Sequence, residues 1–171
     1  MVMIITQEEF ELCIPQYQRL IITVCLAFTR NYFDAEDLAQ ETFLSAFKSL
    51  SGFGGNNLKG WLTAIAANKC RDYIKSPGRR LQRLSQEELN CLEDSRGYPT
   101  ERAEENAVQE KILRLCGKLK EPYRDVATGY FCEDKKLSDI AAETGQSLKT
   151  LQTRLYRSKK ILKILWKEEL P

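Results

Sequence analysis

From Leu137 the chain reads Leu-Ser-Asp-Ile-Ala-Ala-Glu-Thr-Gly-Gln-Ser-Leu-Lys-Thr-Leu-Gln-Thr-Arg-Leu-Tyr and continues to Lys160. That spacing favours two helices crossing about a tight turn. Ala141 is small where the second helix must pass the first, and Gly145 can take the positive φ that ends the first helix. Leu148, Leu151 and Leu155 form an apolar stripe expected to face back onto Ile140. Ser147, Lys149, Thr150, Gln152, Thr153, Arg154 and Arg157 fill the rest of the second helix. These residue types reach phosphates and base edges, so the pattern is that of a DNA-binding helix-turn-helix. A helical hairpin within a core is the plainer alternative.

The remaining chain is expected to be helical too, giving an all-α fold. Phe10, Ile14, Tyr17, Ile21, Val24 and Phe28 recur at steps of three and four, a long amphipathic helix from Gln7 to about Arg30. Asn31 to Asp34 breaks it, with Asp34 the expected N-cap of a second helix to about Leu50 and Asp37 in its first turn. That helix should bury Leu38, Phe43, Ala46, Phe47 and Leu50. A turn-rich loop, Gly52 to Asn57, precedes a third helix over Leu58 to Lys75, which should bury Trp61, Leu62, Ile65, Ala66 and Tyr73. Periodicity then fades into an acidic linker with an optional short helix at Gln86 to Leu92. It resumes near Glu104 with Val108, Ile112, Leu115 and Leu119 on one face, and Pro122 opens a helix through Tyr130 before the helix-turn-helix. The expectation is two small helical domains, residues 1–80 and 104–171, joined by a flexible linker over 81–103, the second domain built of four short helices.

Charge alternates along the chain although the net is only +2. Residues 52–83 carry seven basic and one acidic side chain, and residues 111–171 carry fourteen and eight. Between them, residues 84–110 carry two and eight. Two basic blocks separated by an acidic one fit two contact points on a polyanion. The acids Glu87, Glu88, Glu93 and Asp94 could cover those basic faces in the free protein. There is no histidine, and the six cysteines form no CxxC pair, so neither a metal site nor a cofactor is expected. Cys13, Cys25, Cys70 and Cys116 fall on apolar helix faces, where reduced buried thiols are ordinary. No phosphate loop, nucleophile elbow or paired-carboxylate constellation points to an enzyme. No uninterrupted apolar run approaches membrane-span length and no signal segment opens the chain, so a cytoplasmic protein is expected.

Three blocks, in order, resemble one family: Asp34-Ala-Glu-Asp-Leu-Ala-Gln-Glu-Thr-Phe43, Trp61-Leu-Thr-Ala-Ile-Ala-Ala-Asn68, and Glu121-Pro-Tyr-Arg-Asp-Val126 leading into the helix-turn-helix. They are similar to bacterial RNA polymerase sigma factors of the sigma-70 family, in the compact extracytoplasmic-function (ECF) group. The resemblance spans nearly the whole chain except the linker and termini. It implies a region 2-like domain for core polymerase and the minus-ten promoter element, and a region 4-like domain for the minus-thirty-five element. The implied protein is a promoter-specificity subunit, not an enzyme. Its partners would be core RNA polymerase (the beta-prime clamp helices and beta flap), promoter DNA and an anti-sigma protein, with no small-molecule substrate.

Residue by residue, the resemblance assigns Asp37, Gln40, Glu41 and Leu44 to the polymerase clamp. Steps of three and four place them on the face left when Phe43 and Phe47 are buried, and three acceptors in a row suit an Arg-rich helix. It assigns Phe53, Asn56, Asn57, Lys59, Asn68, Arg71 and Lys75 to the minus-ten strand. Loop amides beside an aromatic can hold a base that leaves the stack, and Asn68 offers both donor and acceptor. Arg71, Lys75, Arg79 and Arg80 continue this edge as phosphate contacts. Ser147, Lys149, Thr150, Thr153, Arg154 and Arg157 fall to the minus-thirty-five element, Arg154 toward bases and Arg157 toward phosphate. The chain departs from the family at Thr63 and Ala64, where an aromatic and an arginine are usual, and in the uncharged Gly54-Gly-Asn-Asn57 loop.

Two other functions compete. A sigma-like decoy would bind an anti-sigma protein without DNA, but has no need for Arg71, Lys75, Arg79, Arg80, Arg154 or Arg157. An ordinary helix-turn-helix repressor leaves the Asp37 to Phe43 block unexplained.

Overall fold

Thr6 starts the first helix with a closed capping box. Its hydroxyl accepts from the Glu9 N–H at 3.2 Å, and the Glu9 carboxylate accepts from the Thr6 N–H at 2.8 Å. The computed structural model describes residues 5–76 and 102–169, and all regular structure among them is helical. The chain divides into two compact units, Met1–Tyr98 and Pro99–Pro171. Most of the expected linker lies outside the described residues, with its helix at 86–92, the acids Glu87, Glu88, Glu93 and Asp94, and the basic pair Arg79 and Arg80.

In the first unit, α1 (Gln7–Thr29) ends at Arg30 in the left-handed region, and extended Asn31 caps α2 (Tyr32–Lys48). The Asn31 side chain accepts from the Phe33 N–H at 3.2 Å, so Asn31, not Asp34, is the N-cap. Asp34 instead lies inside α2, buried. The chain turns so quickly at Arg30 that the cap falls three residues before the expected one. Helix α2 also stops two residues short, and Leu50 is buried from a separate 3-10 turn, Leu50–Gly52.

Helix α3 (Leu58–Lys75) keeps its expected bounds. Leu62, Ala66 and Cys70 are its fully buried apolar residues, whereas Trp61, Ile65 and Tyr73 are half-buried against the same core. That core gathers Phe10, Ile21, Val24, Cys25 and Phe28 from α1 with Leu38, Ala39, Phe43 and Ala46 from α2. Helix α1 is long and apolar enough to cross a membrane, with a mean hydropathy of 1.3 over its best window. Phe10, Ile21, Val24, Cys25 and Phe28 of that helix are nevertheless buried in the core shared with α2 and α3.

The second unit comprises α4 (Arg102–Gly117), α5 (Tyr123–Ala127), a π turn (Thr128–Cys132), α6 (Leu137–Thr144) and α7 (Leu148–Glu168). The helix expected to end at Tyr130 runs two residues further by widening into the π turn. Gly129 lies within that turn, where a Cβ would sit 3.1 Å from the Ile140 Cδ1, so its lack of a side chain lets α6 approach. Helix α7 is not short. Leu151, Leu155, Ser158, Leu162 and Trp166 keep one buried stripe running through its 21 residues.

The far end of α7 is fastened to α4. Arg114 and Lys118 reach Glu169 at 2.8 and 2.7 Å, and the Lys111 ammonium stands 3.9 Å from the Trp166 ring centroid. Hydrogen bonding to Arg114, then to Lys118, holds the Glu169 carboxyl down at about 2. Partial burial lowers the Lys111 ammonium from its usual value.

Cys25, Cys70 and Cys116 are buried as expected, but Cys13 is only half-buried, as is Cys132; Cys91 lies outside the described residues. The adjoining Cys70 thiol and then burial push the Cys25 thiol far above its ordinary range, which keeps it protonated and unreactive.

Candidate nucleic-acid interface

Gly145, at φ 69°, ends α6 with its N–H bonded to the Ala141 carbonyl at 3.0 Å. Two residues later Ser147 caps α7: its hydroxyl accepts from the Thr150 N–H at 3.2 Å and lies 2.8 Å from the Thr150 hydroxyl. Leu151 and Leu155 are buried, as is Ile140 of α6. Leu148 breaks the expected stripe, being 45% exposed. As the first residue of α7 it has no preceding turn with which to share a packed face.

Ser147, Lys149, Thr150, Gln152, Thr153 and Arg157 are all exposed. Lys149, Thr153 and Arg157 follow at steps of four, so they share one face of α7. Arg154 differs. It is half-buried, and its Nη1 donates to the Oε1 of Gln146, the residue between Gly145 and the cap. Gln146 was not among the candidate residues. The bond spans the N-cap of α7, joining the residue before Ser147 to the second turn of the helix.

On the first unit, Lys59, Asn68 and Lys75 are exposed on α3 and Arg71 is half-buried. The Arg71 Nη1 donates to the Asn68 Oδ1 at 2.9 Å, so the two candidates form one group. Asn57 serves the fold directly. At φ 52° it caps α3, accepting from the Gly60 N–H at 3.0 Å. Asn56 beside it is exposed. Phe53 is half-buried against Trp61, with ring centroids 4.8 Å apart. Thr63 is buried and donates to the Lys59 carbonyl at 2.8 Å, while Ala64 is exposed. The aromatic surface in this region is therefore the Phe53–Trp61 pair.

On α2, Gln40, Glu41 and Leu44 are exposed and Asp37 is half-buried. Gln40 donates from Nε2 to the Glu36 Oε1 at 3.2 Å. Gln40 and Leu44 also line a groove of about 480 Å³ between α1 and α2, with Ile14, Ile22, Phe43 and Phe47 among its walls. Acceptors thus stand beside an apolar trough. Among the described residues no cluster of three or more Cys, Asp or Glu is placed to hold a metal ion.

Comparison with known proteins adds an independent line. The Sigma-70 region 2 family matches residues 13–80. The chain is 26% identical over 160 residues to RNA polymerase sigma factor SigV of Bacillus subtilis (strain 168), covering 92% of each. It is 30% identical over 129 residues to the ECF RNA polymerase sigma factor BldN of Streptomyces coelicolor, covering 72% of this chain and 48% of that one. Among solved structures it is similar to the sigma factor RpoE of Bartonella quintana in complex with the anti-sigma factor NepR. That match has 19% identity and a TM-score of 0.40, and covers 95% of this chain and 99% of the other.

Proposed function

Because the chain belongs to the sigma-70 family of RNA polymerase sigma factors, in its ECF group, we propose that it is a promoter-specificity subunit. One coincidence carries the reading: the region 2 match falls on the unit with the α2 acceptor face, while the other unit presents a helix-turn-helix with an exposed basic helix. In this reading Gln40 and Glu41, with Asp37 behind them, accept from basic side chains on the beta-prime clamp helices. Leu44 and the adjoining groove receive apolar residues of the same partner. The Phe53–Trp61 pair gives a base a stacking surface once it leaves the duplex, and Asn56 lies at the loop edge next to it in sequence. Asn68 and Arg71 meet the minus-ten strand as a unit, with Lys59 and Lys75 on phosphates.

Helix α7 enters the major groove of the minus-thirty-five element. Ser147, Lys149, Thr150, Thr153, Arg154 and Arg157 make its contacts, and the beta flap is the further polymerase contact of this unit. Bond-making chemistry belongs to the polymerase, with which the protein works in the cytoplasm, and an anti-sigma protein restrains it there. The decoy reading is disfavoured by Lys149, Arg157 and Lys75, which are exposed cations with no role in a protein that ignores DNA.

The test is to mix the full chain with core RNA polymerase and sequence the 5′ ends of the transcripts. New start sites sharing two upstream elements are expected. A polymerase that gains no new start site, yet binds the chain, would overturn the promoter-specificity reading.

A further inference from the structure

The proposed minus-thirty-five face contains two arginines that the structure places in different surroundings. Arg157 is exposed, whereas Arg154 is half-buried and hydrogen-bonded across the turn to Gln146. Gln146 is well placed to hold something still. Its backbone lies between left-handed Gly145, which closes α6, and Ser147, whose side chain caps α7. Both neighbours are fixed by helix termini, and Gln146 is itself half-buried.

Resting on the promoter-specificity reading, we propose that Gln146 is a specificity-determining positioning residue, which orients the Arg154 guanidinium for one base pair of the upstream element. A guanidinium carries five N–H donors in a rigid planar fork. The bond to Gln146 takes up Nη1 and leaves Nε and Nη2. Two N–H donors in a fixed plane are what bidentate recognition of the O6 and N7 of a guanine requires. An unrestrained arginine must give up side-chain freedom on binding and can turn to a phosphate instead, which carries no sequence information. Arg157, exposed one turn further along α7, suits the phosphate role. Gln146 thus acts through Arg154, and its own contribution is to discrimination rather than to overall affinity.

The test is a binding-site selection by the full chain on core polymerase, from DNA randomised in the upstream element. It compares wild type with Arg154→Ala, Gln146→Ala and Gln146→Glu. Arg154→Ala should erase the preference at one base-pair position. Gln146→Ala should weaken the preference at that same position by about fivefold, the low end of what a bidentate pair supplies. Other positions, the salt dependence of binding and the thermal unfolding curve should stay as in wild type. Gln146→Glu, which keeps an acceptor for Arg154, should retain the preference.

The proposal is overturned if Gln146→Ala selects as wild type does at the position Arg154→Ala alters. It is equally overturned if Gln146→Ala weakens binding to all sequences alike, or if Arg154→Ala changes no single position. A wild-type protein that enriches no upstream sequence at all would instead remove the promoter reading on which the proposal stands.

Discussion

Tyr73 donates its hydroxyl to the Oδ2 of buried Asp34 at 2.8 Å, joining the end of α3 to the start of α2 across 39 residues of sequence. The bond links the helix that carries the proposed minus-ten contacts to the helix that carries the proposed polymerase contacts. Tyr73→Phe keeps the ring and removes the donor from a buried carboxylate. A hydrogen bond to a charged group contributes about 1.5–3 kcal/mol, so a loss of that size is expected in the urea unfolding of the full chain. An unchanged midpoint would mean that the bond contributes nothing to the domain.

Gln40 and Glu41 are both exposed, so replacing them tests docking at the cost of the Gln40–Glu36 hydrogen bond. Asp37 is half-buried and its replacement would mix docking with packing. Gln40→Ala with Glu41→Ala should weaken binding to core polymerase by at least about tenfold, since a charge-assisted bond at an interface contributes about 1.5–3 kcal/mol. Far-UV circular dichroism should stay as in wild type. Equal affinities in a titration would remove α2 from the docking face.

Arg157 is expected to touch phosphate. Arg157→Ala should lower the salt dependence of DNA binding by the holoenzyme by about one counterion and affect all upstream sequences alike. Loss confined to one base-pair position would assign Arg157 to base readout.

The two leucines that open α7 should behave differently. Leu151 is 0% exposed beneath α6, and Leu151→Ala should cost about 2–5 kcal/mol of stability. Leu148 is 45% exposed, and Leu148→Ala should stay within about 0.5 kcal/mol. Equal losses in chemical denaturation would restore Leu148 to the core.

The tether between α4 and α7 should be sensitive to acid. The Glu169 carboxyl is lowered from 4.5 to about 2 in the folded chain, by Arg114 first and Lys118 second. The unfolded chain therefore binds this proton more readily. The stabilisation is complete above pH 4.5 and is lost as pH falls toward 2. The urea midpoints of wild type and Glu169→Gln should differ at neutral pH and converge through that window, and added salt should narrow the gap. A constant gap across the window would show that Glu169 acts by something other than its charge.

Much of this protein is determined by sequence because its information is local. The three- and four-residue steps through Phe10, Ile21, Val24 and Phe28 specify α1, and the limits of α3 follow from Asn57 and Ser76 at its two ends. Gly145 marks the turn of the helix-turn-helix because the left-handed conformation there is costly for any side chain with a Cβ. The exposed face of Gln40, Glu41 and Leu44 follows from the same helical periodicity once Phe43 is inside.

Tertiary structure decided what depends on partners far along the chain. Asp34 has the chemistry of a cap, yet an earlier Asn31 takes that role, and the buried Asp34 side chain accepts from Tyr73 39 residues away. Phe53 finds its stacking partner in Trp61. Glu169 finds its cations 51 and 55 residues away. Periodicity tells which residues share a face; which polar groups meet across a turn or between helices depends on how those faces are brought together in space.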